Sequence, residues 1–151
     1  MWPFRREKHF FSKEENDTIV QSIRDAEKQT SGELRIFVES RCKYVEPLDR
    51  AAEIFTKLKM GNTELRNGVL FYVAIKDKQL AIFADSGIHD AAGHQYWNDV
   101  VTGILSVFKK DSIVHGITAT IAAVGEALKT HFPYDKEVDK NELPDEIIFS
   151  T

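Results

Sequence analysis

The stretch that decides the fold is NGVLFYVAIK, residues 67–76, followed by the dipeptide Asp77-Lys78 and by QLAIFAD, residues 79–85. The first segment is apolar, β-branched or aromatic over most of its length, which is typical of a central strand buried on both faces. The polar dipeptide predicts a tight turn, and the second segment then returns as the other arm of a β-hairpin. The first of these two strands is the predicted central strand of a sheet, and the second pairs with it.

The first strand in the chain is predicted upstream of this hairpin. Residues 33–40 alternate in polarity, and Leu34, Ile36 and Val38 form the more uniformly apolar face. Between this strand and residues 67–76, Pro47 opens a predicted helix and Gly61 caps it. Its apolar stripe comprises Leu48, Ala51, Ala52, Phe55 and Leu58. Because a strand-helix-strand crossover joins parallel strands, the first two strands should be parallel.

Helices are predicted on either side of this strand region. Ser12 and Glu15 form a capping-box pattern, and the helix that they open stops at residues 30–32. Residues 85–94 form a predicted polar loop, followed by helices over about 94–109 and, capped by Asp111-Ser112, over about 113–132. Residues 146–149 suggest a short edge strand. The element order α-β-α-ββ-α-α predicts an α/β fold with a small mixed β-sheet flanked by helices.

Composition narrows the class of protein. The 151 residues include 24 Asp and Glu against 20 Lys and Arg, giving a net charge of −4, and a single Cys. This composition argues against a membrane-embedded chain, a Cys-rich zinc site and a general nucleic-acid binder, which would show a basic stripe. The start of the chain shows no secretory signal, so the sequence predicts a cytoplasmic protein without a transmembrane segment.

Three segments are predicted along the chain. Residues 1–11 are aromatic and basic, residues 12–134 form one domain, and residues 135–151 form an acidic tail that carries six acids and two bases. Within the first segment, Phe10 and Phe11 are expected to pack the first helix onto the core. The alternative is that this segment contacts a partner or a membrane surface.

The predicted topology brings chemistry-bearing residues to one edge of the sheet. The third strand ends at Asp85, on the edge where the first two strands begin, so Asp85 should lie near Glu33 and Asn67. His89 and Asp90 follow in the next loop. Two or three carboxylates with a His or Asn suit a hard or borderline divalent metal, which would activate water or polarise a phosphoryl oxygen.

Each of these residues also has a structural interpretation. Asp85 and Asp90 flank a glycine turn and could be turn formers or helix caps. His89 could cap or pack against the next helix, Glu33 could pair with Arg35, and Asn67 could only mark the entry to a strand. Other motifs give no support: the P-loop, dinucleotide-binding, zincin and EF-hand patterns are all missing from the sequence.

Four pieces of the sequence together resemble the TPM-domain family: residues 31–35 (SGELR), residues 67–74 (NGVLFYVA), the Asp77-Lys78 turn and the loop 85–94. The resemblance covers about residues 12–132. The family includes a thylakoid-lumen phosphatase-like protein of photosystem II repair and a nematode acetylcholine-receptor accessory subunit. It implies a three-layer α/β/α sandwich, and the chain is similar to a short, soluble bacterial branch.

The resemblance also implies a site near Asp85. Some members are assigned acid-phosphatase activity, and metal binding by acidic residues has been proposed. Where many members carry a Gly-Tyr-Gly-Leu-Glu turn, this chain has Asp85-Ser86-Gly87-Ile88-His89, which keeps Gly87 but departs at Asp85 and His89.

Two functions are therefore expected. The first is an interaction or accessory module for an unknown protein partner, membrane-associated proteins included, with residues 1–11 and the acidic tail as its expected contact regions. The alternative is a phosphatase-like hydrolase that depends on a divalent metal, Ca²⁺ or Mg²⁺. In it Glu33, Asp85 and Asp90 hold the metal, His89 is catalytic, and Arg35, Asn67 and Gly87 bind substrate. Arg35 or Arg66 could serve as an arginine clamp on the substrate. The interaction module is preferred because no convincing nucleophile or catalytic constellation is visible.

Overall fold

The computed structural model describes residues 10–108, 112–135 and 146–149. In chain order these form α1 (Lys13–Glu27), β1 (Glu33–Glu39), α2 (Pro47–Lys57), β2 (Gly68–Ala74), β3 (Gln79–Ala84), α3 (Ser86–Ala92), α4 (His94–Phe108), α5 (Ile113–His131) and β4 (Ile148–Phe149). Residues 1–9 and most of the predicted acidic tail lie outside the described residues, as does Asp111.

The strands form one mixed sheet in the order β3-β2-β1-β4. β1 and β2 are parallel, with Glu33 opposite Gly68, as expected for two strands joined by a helix. β2 and β3 form the predicted antiparallel hairpin, with Val69 opposite Ala84. The short edge strand is also confirmed, because β4 pairs in parallel with β1. β3 therefore lies at the opposite edge of the sheet from β4.

The sheet is covered on both faces, which confirms the three-layer α/β/α sandwich. One face carries Leu34, Ile36 and Val38, all fully buried, and packs against α1, α3, α4 and α5. The other face packs against α2, whose Ile54 and Phe55 meet the β2 side chains. All seven residues of β2 are buried, as its apolar sequence predicts.

Local hydrogen bonds explain where the flanking helices begin. The Ser12 hydroxyl accepts from the Glu15 N–H at 3.1 Å, and the Glu15 carboxylate accepts from the Ser12 N–H at 2.8 Å. This is the predicted capping box. Phe11 is buried in the core, and its ring centroid lies 6.2 Å from that of Phe149. The packing interpretation is thus confirmed for Phe11.

The loop predicted over residues 85–94 is wrong, because most of it forms helix α3. Asp85 is its N-cap, with the carboxylate accepting from the Ser86 N–H at 2.7 Å. Gly93 ends the helix with a φ of 90°, a conformation that favours glycine. Only Ile88 of the seven helical residues is buried, so the sequence carries no amphipathic pattern that would predict a helix.

The predicted limits and stripe of α2 also need correction. The helix ends at Lys57 rather than at Gly61, because Lys59 already adopts a left-handed φ of 57° and turns the chain. Leu48 does not join the buried stripe: it is 50% exposed. Among the described helices, none is both long enough and apolar enough to cross a membrane.

Candidate functional site

Three predicted site residues lie close together at the end of the sheet where β1 and β2 begin and β3 ends, which we name the amino edge. The Glu33 N–H donates to the Asn67 carbonyl at 3.2 Å, and the Asp85 N–H donates to the Gly68 carbonyl at 3.0 Å. The expected convergence of Glu33, Asn67 and Asp85 at one edge is therefore present. Their predicted roles in binding and catalysis stay predictions.

Asp85 is held by Arg66, which the sequence offered as a possible substrate clamp but not as a partner of Asp85. Arg66 donates from Nε and Nη2 to the two carboxylate oxygens at 2.9 and 3.0 Å. The Asp85 side chain is 5% exposed and that of Arg66 is 54% exposed. Hydrogen bonding to Asp85 raises the pKa of Arg66 above its usual value. Asp85 thus fastens the residue 58–67 loop to the start of α3.

Two neighbouring residues tighten the same edge. The Gly87 N–H donates to the Arg66 carbonyl at 2.9 Å, and a Cβ at this position would lie 2.2 Å from the Leu65 carbonyl oxygen. Asn67 is buried and its side-chain amide donates to the Ser31 carbonyl at 3.2 Å. Gly87 therefore ties α3 to the loop before β2, and Asn67 ties the start of β2 to the segment before β1.

His89 and Asp90 lie on α3, one turn beyond Asp85. The His89 ring stacks on His94, with centroids 4.5 Å apart. Burial, and then the nearby His94, lower the pKa of His89 below its ordinary value, so the ring is neutral near pH 7. Asp90 is exposed. His89 lines a cavity beside β3, described below.

Arg35 is the remaining predicted binding residue. It is half-buried on β1, and its Nε atom is buried without a hydrogen-bond partner among the described residues. Burial lowers the pKa of Arg35, while the Glu146 carboxylate acts in the opposite direction. Arg35 thus lies in the electrostatic field of the segment that enters β4, and its predicted role in binding substrate stays a prediction.

The predicted metal ligands do not form a preassembled cluster in the described part of the chain. Ca²⁺ takes about six to eight oxygen ligands and Mg²⁺ about six. In the described ranges, no three His, Cys, Asp or Glu side chains lie close enough to hold a metal. The Asp85 oxygens already accept from Arg66 and from the Ser86 N–H. A metal would reach Asp85 only if Arg66 moved away, so metal binding stays a prediction.

A second candidate site, which the sequence did not reveal, lies along β3. A cavity of about 450 Å³ is lined by residues 80–84 of β3, residues 46–48 at the start of α2, His89 of α3, and Trp97, Asn98, Val101 and Leu105 of α4. We name it the edge groove. Its volume lies within the roughly 300–1,000 Å³ typical of ligand sites.

Three apolar side chains at and just before the start of α2 are exposed, and one of them, Leu48, also lines the edge groove. Tyr44 is 39% exposed, Val45 is 94% exposed, and Leu48 forms part of the groove wall. We name these three residues the rim. Contiguous exposed apolar surface is typical of sites that contact another molecule.

A partly buried ion pair fixes the start of α2, the helix that carries Leu48. Arg50 donates from Nε and Nη2 to the two Glu39 oxygens, both at 3.0 Å, and the Tyr72 hydroxyl also donates to Glu39. The Arg50 guanidinium carbon lies 5.9 Å from the Tyr44 ring centroid. Burial and the hydrogen bond to Glu39 raise the pKa of Tyr72 above its usual value. These contacts hold the start of α2, with Leu48, and the Tyr44 ring against the end of β1.

Comparisons with known proteins show which family this chain resembles. The profile of the TPM domain matches residues 5–127. The NMR structure of BA42 protein from the psychrophilic bacterium Bizionia argentinensis is 40% identical, with a TM-score of 0.83, covering 97% of this chain and 99% of that one. Among curated proteins, none matches the chain.

Two more distant structures share the fold alone. The N-terminal domain of a protein from P. gingivalis is 13% identical, with a TM-score of 0.63, covering 83% of this chain and 82% of that one. The N-terminal domain of a Corynebacterium glutamicum protein is also 13% identical, with a TM-score of 0.55, covering 98% of this chain and 90% of that one.

Proposed function

The chain belongs to the TPM-domain family, and from that premise we propose that it acts as an interaction module for another protein. The observation that carries the proposal is the apolar rim beside the edge groove, with Val45 94% exposed. The proposed partner is a protein, membrane-associated proteins included, and the proposed place of action is the cytoplasm.

The anchored start of α2, which carries Leu48, supports this proposal. The Glu39 and Arg50 side chains satisfy each other, and Arg50 also donates to Glu53 at 2.6 Å. A contact surface held in place by such a network loses less conformational freedom when a partner binds.

A site-specific photo-crosslinking experiment tests the proposal. A photoreactive amino acid is placed at position 48, on the rim, and in a second preparation at position 107, where Val107 is similarly exposed on α4. Illumination in the cells that make this protein should give a discrete adduct from position 48 only. The captured protein is then purified and its binding to the unmodified chain measured. No adduct at 48, or the same adducts from both positions, would overturn the proposal.

A metal-dependent phosphatase is the second candidate. Its support is the backbone convergence of Glu33, Asn67 and Asp85 at one edge of the sheet. It ranks second for two reasons. The carboxylate of Asp85, a predicted metal ligand, is already paired with Arg66. His89, the predicted catalytic residue, lines the edge groove. A metal titration of chelator-stripped protein separates the two candidates.

A further inference from the structure

The edge groove runs along the open edge of β3. Side chains of consecutive strand residues point to opposite faces of a sheet. The cavity is lined by residues 80–84 and also by residues of α2 and α4, which cover opposite faces of the sheet, so it follows the outer edge of the strand. The outward backbone groups of β3 therefore border it.

The hydrogen-bond register shows which backbone groups face the groove. The Asp85 N–H donates to the Gly68 carbonyl, and these residues are opposite one another in the register. In an antiparallel ladder, bonded and non-bonded pairs alternate. Leu80, Ile82 and Ala84 therefore belong to the non-bonded pairs and direct their N–H and C=O groups away from β2.

This edge has no neighbouring strand in the described part of the chain. The sheet order ends at β3, whereas the other edge strand, β4, has joined β1. An open edge with outward N–H and C=O groups is a template for another strand. Five residues of β3 present an edge about 17 Å long, the length of a typical strand.

The walls of the groove define the side chains that such a strand would carry. Leu48 stands on the α2 side, and Trp97 and Val101 stand on the α4 side. A strand bound to β3 would direct alternate side chains to these two walls. Since both walls are apolar, apolar side chains are favoured in both directions.

The charge of the groove adds a second requirement. Glu46 is its one acidic lining residue, and no Lys or Arg lines it among the described residues. The Glu46 side chain makes no capping hydrogen bond to α2, although it stands at the N-cap position. A cationic side chain on the partner would complement this carboxylate.

We propose that the occupant of the edge groove is an extended segment of a partner protein that pairs with β3 as a fifth strand. The segment is apolar at successive positions facing the two walls and carries a Lys or Arg beside Glu46. This inference rests on the proposed interaction function and specifies the chemistry of the partner at the same site.

A selection experiment with random peptides tests the sequence requirement. A phage-displayed library of random twelve-residue peptides is selected on the purified full chain. Enriched peptides should carry an apolar run with an adjacent basic residue, and Glu46→Gln should weaken their binding about threefold, the usual worth of an exposed ion pair. Val107→Lys should leave their affinity unchanged. Absence of enrichment, or equal binding to the chain carrying Leu48→Lys, would overturn the proposal.

Amide hydrogen exchange on the bound peptide complex tests strand pairing itself. The amides of Leu80, Ile82 and Ala84 should exchange about tenfold more slowly, because each outward N–H gains a partner. Those of Ala81 and Phe83, already bonded within the hairpin, should not change. Peptide binding that depends on Leu48 without this alternating protection would overturn strand pairing, in favour of a helix or a side-chain contact, and leave the interaction function standing.

Discussion

Gly87 is the residue at which the amino edge is most tightly packed. Its Cα faces the Leu65 and Arg66 carbonyl oxygens, leaving no space for a side chain. We expect Gly87→Ala to lower the free energy of unfolding by about 1–3 kcal/mol, the usual cost of forcing atoms into a packed site. Gly103→Ala is the matched control, since that glycine lies in α4 with open space around it. It should raise stability by about 0.5–1 kcal/mol. Urea unfolding measures both, and equal effects of the two substitutions would contradict this account of Gly87.

His89 gives a pH dependence whose direction is fixed by its surroundings. Because burial disfavours the charged ring, the pKa of His89 in the folded chain lies below the 6.5 of an exposed histidine. The unfolded chain then binds protons more readily, so stability rises with pH in this range. The contribution of the neutral His89 ring to folding stability is fully present above about pH 6.5 and is lost as the pH falls through the lowered pKa.

The His89→Phe variant should remove that part of the pH dependence. We expect the unfolding free energy of the unmodified chain to fall more steeply from about pH 7.5 to about pH 5.5 than that of the variant. Urea unfolding across this range provides the measurement, with His115→Gln, at an exposed position of α5, as the control. Parallel pH profiles for the unmodified chain and His89→Phe would contradict the assignment.

At the scale of elements, α1 depends on its capping box. Ser12→Ala removes the hydroxyl that accepts from the Glu15 N–H, and should cost about 1 kcal/mol of stability. Ser12→Gly should cost only a few tenths of a kcal/mol, because water replaces the hydroxyl at a glycine N-cap. Thermal or urea unfolding tests this, and a larger loss for the glycine variant would show that the box is not the stabilising feature.

Elements with strong local signals were predictable, and elements without them were not. The capping box and the β-branched run of β2 each identify an element from a few adjacent residues. Helix α3 has no such signal, since Asp85 caps a helix with one buried side chain. Leu48 fits a helical stripe in sequence, but it sits at the start of α2 where the helix reaches the groove.

At the scale of the whole molecule, topology predicted which strand ends meet but not what their side chains bind. The parallel and antiparallel pairings were enough to bring Asp85 to Glu33 and Asn67. The pairing of Asp85 with Arg66 joins residues 19 apart, and that of Arg50 with Glu39 joins residues 11 apart. Such pairings depend on packed tertiary geometry, and so does the edge groove, which four separate elements form.

The metal prediction is also tested on the whole molecule. Chelator-stripped protein is titrated with Ca²⁺, Mg²⁺, Mn²⁺ and Zn²⁺ while backbone amide shifts are followed. Because Arg66 donates hydrogen bonds to both oxygens of the Asp85 carboxylate, we expect no saturable shifts centred on Glu33 and residues 85–94. Saturable shifts there that disappear in Asp85→Asn would contradict this expectation, show that a metal displaces Arg66, and justify phosphatase assays.

The most direct test of the central claim is the affinity of the purified crosslinked partner for three forms of the chain. These are the unmodified protein, Leu48→Lys on the rim and Val107→Lys on α4. If the rim and edge groove are the functional surface, Leu48→Lys should raise the Kd by at least about tenfold, or ~1.4 kcal/mol. Val107→Lys should leave the Kd unchanged. Equal effects of the two substitutions, or loss of binding with Val107→Lys alone, would contradict the account.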